Sequence, residues 1–69
     1  MILLRAIRVD VCGGCRFSIE ADGVARETSD PVKAAKILSH MGVSAPSMLV
    51  EHAQEWGSVE ILEDRVLRH

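Results

Sequence analysis

One stretch decides the fold of this chain: CRFSIEADGVARET, from Cys15 to Thr28. Apolar and polar residues alternate without a break from Cys15 to Asp22, which is the period of a half-buried strand. The pair Asp22-Gly23 is a strong signal for a two-residue hairpin turn. The weakly apolar run that follows it, from Val24 to Thr28, predicts a further strand at the edge of a sheet.

Upstream, the segment from Ile7 to Val11 also alternates, so it predicts a first strand before the tetrapeptide CGGC. A two-residue turn at Gly13-Gly14 would place the apolar faces of the two strands on opposite sides of the sheet. A three-residue loop, Cys12 to Gly14, avoids this conflict and predicts three apolar cross-strand pairs: Val11 with Cys15, Val9 with Phe17 and Ile7 with Ile19. In that register Cys15 points into the core and Cys12 sits in the turn.

Downstream, the pattern changes from strand to helix. Ser29-Asp30-Pro31 combines a capping side chain with a proline at the first helical position, and Gly42 is a plausible stop. A second helix is predicted to begin between Ser44 and Ser47 and to end at Gly57, and a short strand from Ser58 to Leu62 follows. Helical spacing predicts these buried faces: Ala34, Ile37, Leu38 and Met41 on the first helix, and Leu49, Ala53 and Trp56 on the second.

The predicted architecture is therefore an α+β fold with the order β-β-β-α-α-β. A small antiparallel sheet, made of an N-terminal hairpin, an edge strand and a C-terminal strand, is packed by two helices. Residues 1–69 are expected to form one compact domain. The alternation loses its phase after Glu63-Asp64, so the pattern leaves the structure of the chain end open.

Composition restricts the possible functions. The chain has 69 residues, 48% of them hydrophobic and 26% charged, with one Phe, one Trp and no Tyr. A chain of this size buries only about 60% of its unfolded surface, which leaves little material for a substrate cleft and excludes most enzymes. The apolar run before Arg5 is too short for a signal peptide or a membrane span, so a soluble, cytoplasmic protein without a membrane partner is expected.

The two cysteines, Cys12 and Cys15, are the candidate metal ligands. Two thiolates on a glycine turn can chelate a soft ion, but zinc requires four ligands. The histidines, His40, His52 and His69, do not complete a zinc-finger spacing. The favoured interpretation is a tight loop in which the cysteines are small apolar residues. Zinc or thiol chemistry at CGGC is the alternative function, and a zinc site shared by two chains is its most workable form.

The helical pair raises a second alternative, because the stretch from Ala34 to Leu49 resembles a helix-turn-helix. Its second helix carries Glu51 and Glu55 and no Lys or Arg. Such a helix would repel phosphates, so direct nucleic-acid binding is disfavoured.

What remains is an interaction surface. Between Val43 and Asp64 the chain has five acids and no base, and these acids are the predicted partner-binding residues: Glu51, Glu55, Glu60, Glu63 and Asp64. No catalytic constellation emerges from the sequence. We therefore expect a small non-enzymatic binding protein, a subunit, adaptor or inhibitor, that regulates a larger protein or complex through its helical and acidic face.

Self-association is a further possibility. Val32 and Val50 fall outside the predicted buried helix faces, where they could contact a second copy of the chain. A homodimer is therefore among the expected partners.

Overall fold

The computed structural model describes residues 1–12 and 14–62, together with the backbone of residues 65–68. It has seven elements in chain order: β1 (Ile2–Arg8), β2 (Cys15–Ala21), β3 (Val24–Thr28), α1 (Pro31–His40), α2 (Pro46–Trp56), β4 (Ser58–Leu62) and β5 (Arg65–Arg68). The strands form one antiparallel sheet with the spatial order β3-β2-β1-β4-β5. The predicted α+β fold and its element order are confirmed, and β5 is an additional strand that pairs with β4.

The β2–β3 hairpin forms as its sequence predicts. Asp22 and Gly23 both have positive φ, 52° and 79°, which is the backbone geometry of a turn whose twist matches that of the flanking strands. Ala21 therefore pairs directly with Val24 across the turn. β3 is an edge strand, as expected.

The first strand is the main correction to the predicted fold. β1 runs from Ile2 to Arg8 and not from Ile7 to Val11. Arg8 pairs with Cys15, Ala6 with Phe17 and Leu4 with Ile19, so the predicted register is wrong by three residues. Ile7, Val9 and Val11 are exposed, and the buried residue of β1 is Leu4.

The connection between β1 and β2 spans residues 9–14 and is organised by a side chain. The Asp10 carboxylate accepts hydrogen bonds from the backbone N–H groups of Cys12 and Gly14, each at 2.9 Å. The backbone N–H of Val9 donates to the Gly14 carbonyl, also at 2.9 Å. The connection is therefore longer than the predicted three-residue loop. Gly13 lies outside the described residues.

Helix α1 begins at the predicted signal. The Asp30 side chain accepts a hydrogen bond from the Val32 backbone N–H at 2.9 Å, and Pro31 occupies the first helical position. A cap of this kind stabilises a helix by about 1 kcal/mol. Helix α2 has no side-chain cap, and it ends at Gly57, whose φ of 93° favours glycine.

Both helices pack on the same face of the sheet. α1 lies on β2 and β3, α2 lies on β1 and β4, and the helices also pack against each other. The core between the layers contains no buried polar side chain among the described residues, and its ten members are aliphatic apart from one phenylalanine: Leu4, Phe17, Ile19, Ala34, Leu38, Leu49, Val50, Ala53, Val59 and Ile61. Ile37 and Trp56 pack against this core but are only half-buried, and Met41 is exposed. No helix within the described part of the chain has the length and apolar content needed to cross a membrane.

Candidate functional site

The predicted acidic residues do not lie on one surface. Glu51 and Glu55 are exposed on α2 and stand one turn apart on the same side of the helix. Glu60 lies on β4 between the buried residues Val59 and Ile61. Because side chains alternate along a strand, Glu60 points to the sheet face that the helices do not cover.

The acidic candidates therefore divide into a helical pair and a residue of the open sheet face. Strand alternation in the sequence could have revealed this division, since Val59 and Ile61 had to face the core. Glu63 and Asp64 lie outside the described residues.

The outer surface of the two helices carries opposite charges on its two halves. α1 exposes Lys33, Lys36 and His40, and α2 exposes Glu51 and Glu55 and has no Lys or Arg. The helices pack against each other, so one outer surface carries basic side chains on α1 and acidic side chains on α2. We call this surface the helical face.

The cysteines occupy two different environments. Cys12 is exposed in the loop, whereas Cys15 begins β2 on the side of Phe17 and is half-buried against the core. The two are not joined by a disulfide. Neither belongs to a cluster of three or more His, Cys, Asp or Glu side chains that could hold a metal ion, in the parts of the chain that are described. A zinc ion bound here would need ligands beyond these two thiolates.

The helix pair offers no basic recognition helix. α2 buries Leu49, Val50 and Ala53 against the rest of the molecule. Its exposed charges are Glu51 and Glu55, which would meet phosphates with the wrong sign.

Of the two valines expected to contact a second copy, only one is available at the surface. Val32 is exposed, but Val50 is only 3% exposed. Val50 was wrongly placed because helical spacing on α2 alone does not show how wide a face of the helix the core covers. The described contacts therefore leave Val32 as the single candidate from that pair.

An aromatic stack on α2 was missed by sequence reasoning. The rings of His52 and Trp56 are nearly parallel, at an interplanar angle of 3°, and their centroids are 4.4 Å apart. The spacing of four residues was a signal for this contact, because residues four apart on a helix are neighbours. The stack fixes the orientation of a half-buried tryptophan at the flank of the helical face.

A groove beside the sheet edge was also missed. It has a volume of about 340 Å³ and lies between the β2–β3 hairpin and the C-terminal half of α1. Its lining combines apolar and charged side chains: Ile19, Ala21, Asp22, Val24, Arg26, Ile37, His40 and Met41. No local sequence pattern predicts it, because it arises from α1 lying next to β3.

Comparison of the chain with protein-family models, with curated proteins and with solved structures finds no match in any of the three.

Proposed function

We propose that this chain is a small cytoplasmic, non-enzymatic protein-binding module that regulates a larger protein or complex through its helical face. The observation that carries the proposal is the charge division of that face, with exposed Lys33 and Lys36 on α1 and exposed Glu51 and Glu55 on α2. A surface that carries opposite charges on two neighbouring helices favours one orientation of a partner with the complementary pattern.

The position of the two acids on α2 is poorly explained by helix stability. Glu51 and Glu55 are exposed, and the α2 N-terminus, where acids would stabilise the helix dipole, has none in its first turn. Helix stability is therefore a poor reason for the position of both acids. Electrostatic steering of a partner is consistent with them, because exposed charges raise association rates at modest ionic strength.

The experiment is capture of partner proteins with immobilised protein under native conditions, followed by measurement of affinity for the captured partner. Reversing both acids, Glu51→Lys with Glu55→Lys, is expected to weaken binding at least about tenfold, because attraction is replaced by repulsion. The affinity of the native protein should also fall as salt is raised.

Two matched controls accompany this experiment. Gln54→Lys adds a positive charge to an exposed position of the same helix outside the acidic pair, and it should retain most of the binding. Cys12→Ser should be silent. Partner binding that survives the double reversal would overturn the proposal, and stoichiometric zinc lost on Cys12→Ser would replace it with the metal-binding function.

A further inference from the structure

The outer side of β3 carries backbone groups that are available for pairing. Ala21 and Val24 flank a two-residue turn, so they exchange hydrogen bonds with each other, and the alternation of an antiparallel ladder continues from them. Val24, Arg26 and Thr28 therefore direct their backbone groups toward β2. Ala25 and Glu27 direct their N–H and C=O groups outward, and β3 has no neighbouring strand on that side among the described elements.

The groove runs alongside this free edge. β3 and α1 follow each other in the chain and pack together, and the groove includes Val24 at the start of β3 and Met41 just after the end of α1. Arg26 shares the helix-covered sheet face with Val24, because it pairs with the buried Ile19. A strand added to β3 would therefore point alternate side chains into the groove, past Ile37.

The cationic side chains near the groove are Arg26, which lines it, and two lysines of α1. Lys33 and Lys36 lie one turn before the lining residues Ile37 and His40. Asp22 is the acid among the lining residues. Glu27 alternates onto the opposite sheet face, so it does not offset these charges.

A second copy of the chain fits this edge poorly in the register that uses the outward groups of both Ala25 and Glu27. Two β3 strands paired symmetrically through Ala25 and Glu27 would place Arg26 directly opposite Arg26 of the other copy. Like charges directly opposite each other destabilise a sheet. An acidic residue at the same place would instead pair with Arg26.

We propose that β3 binds an extended acidic peptide segment of a partner protein by strand addition. The segment places an acidic side chain beside Arg26 and an apolar side chain, two residues away, in the groove next to Val24 and Met41. Backbone hydrogen bonds to Ala25 and Glu27 supply affinity, and the groove supplies sequence preference. The inference rests on the proposed protein-binding function and assigns it a second surface, separate from Glu51 and Glu55.

The test uses the full chain and a synthetic peptide, acetylated and amidated, of sequence Ser-Val-Thr-Glu-Thr-Val-Ser. Its apolar–acidic–apolar face reads the same in both strand directions. We expect saturable binding in an NMR titration, with the largest amide shifts at Ala25 and Glu27 and methyl shifts at Ile37. The same peptide with Lys in place of Glu should bind about five to ten times more weakly.

Two variants locate the contact. Arg26→Glu should reverse the preference, so that the Lys peptide binds more tightly than the Glu peptide. Ala25→Pro removes an outward N–H without removing a hydrogen bond to β2, and it should weaken binding about fivefold or more. Arg16→Glu, the same charge change on the opposite sheet face, is the matched control and should leave peptide binding unchanged.

The outcomes separate this inference from the proposed function. Absence of peptide binding, or an unchanged peptide preference in the Arg26→Glu variant, would overturn the strand-addition site. Shifts confined to α2, or self-association through β3 in ultracentrifugation, would overturn it as well. The double reversal of Glu51 and Glu55 should leave peptide binding intact. The proposal for the helical face can therefore be overturned without overturning the β3 site, and the β3 site can be overturned without overturning the helical face.

Discussion

The two hairpins that share β2 are closed in different ways. The β2–β3 hairpin turns at Asp22 and Gly23, where positive φ angles set the register through the backbone itself. The β1–β2 hairpin closes over residues 9–14, where the Asp10 side chain accepts the N–H groups that the loop leaves unpaired. The first register is thus fixed by backbone conformation and the second is supported by a side-chain acceptor.

The hairpins also differ in how their apolar residues are used. In the β1–β2 hairpin, apolar residues continue past the end of the packed sheet, and β1 pairs with β4 only as far as Arg5. Ile7 and Val9 are about half exposed and Val11 is fully exposed. Ile7 pairs with Arg16, so it lies on the sheet face that the helices do not cover, and Val9 and Val11 follow the end of β1. Alternation therefore does not by itself show which face of a strand is buried.

The largest expected effect tests which residues of β1 belong to the core. Leu4→Ala should lower the free energy of unfolding by about 2–5 kcal/mol, because Leu4 is fully buried against the helices. Ile7→Ala should cost less than about 1 kcal/mol, since Ile7 is 49% exposed. Urea unfolding followed by circular dichroism measures both.

The same two variants test the register of β1 against β2. In the register that the sequence predicts, Ile7 faces Ile19 in the core, and Ile7→Ala would then be the costly change. Equal losses for Leu4→Ala and Ile7→Ala would contradict the observed register.

The sequence predicts the bounds of an element correctly where residues at its ends carry a local signal. β3 and β4 have the predicted bounds, and α1 starts at its predicted cap. β1 failed because the run from Met1 to Leu4 is continuously apolar and shows no phase, whereas the exposed segment from Ile7 to Val11 shows a clear one. The hydrogen bonds that the Asp10 carboxylate accepts depend on loop geometry that the sequence pattern does not contain.

For the candidate sites, too, features with a local sequence signal were predicted and features that depend on tertiary packing were not. Exposure of Glu51 and Glu55 follows from helical spacing, and the prediction placed them correctly on the outer side of α2. The groove needs α1 to lie beside β3, which is a tertiary arrangement. The burial of Val50 likewise depends on how α2 packs into the core, so neither feature could be obtained from one segment alone.

A smaller effect separates the two kinds of turn. Gly23→Ala should cost about 1–2 kcal/mol, because an L residue is strained at a φ of 79° even though open space surrounds the position. Gly23→Asn should recover part of that loss, since asparagine tolerates the left-handed region. Thermal unfolding of the two variants gives the difference, and equal stability of Gly23→Ala and the native chain would contradict a register set by the backbone.

The smallest effect concerns the Asp10 loop and is best measured as a double-mutant cycle. Asp10→Ala removes two exposed hydrogen bonds and should cost about 1 kcal/mol, whereas Asp10→Asn keeps an acceptor oxygen and should cost less. Gly14→Ala should be similarly harmful in the native chain, because the added Cβ would lie 2.7 Å from an Asp10 carboxylate oxygen. In the Asp10→Ala background that obstacle is absent, so Gly14→Ala should have almost no further effect. Additive losses would show that Gly14→Ala does not act through the Asp10 carboxylate. An Asp10→Ala variant as stable as the native chain would show that the loop does not depend on that carboxylate, and the contrast between the two hairpins would then lose its physical basis.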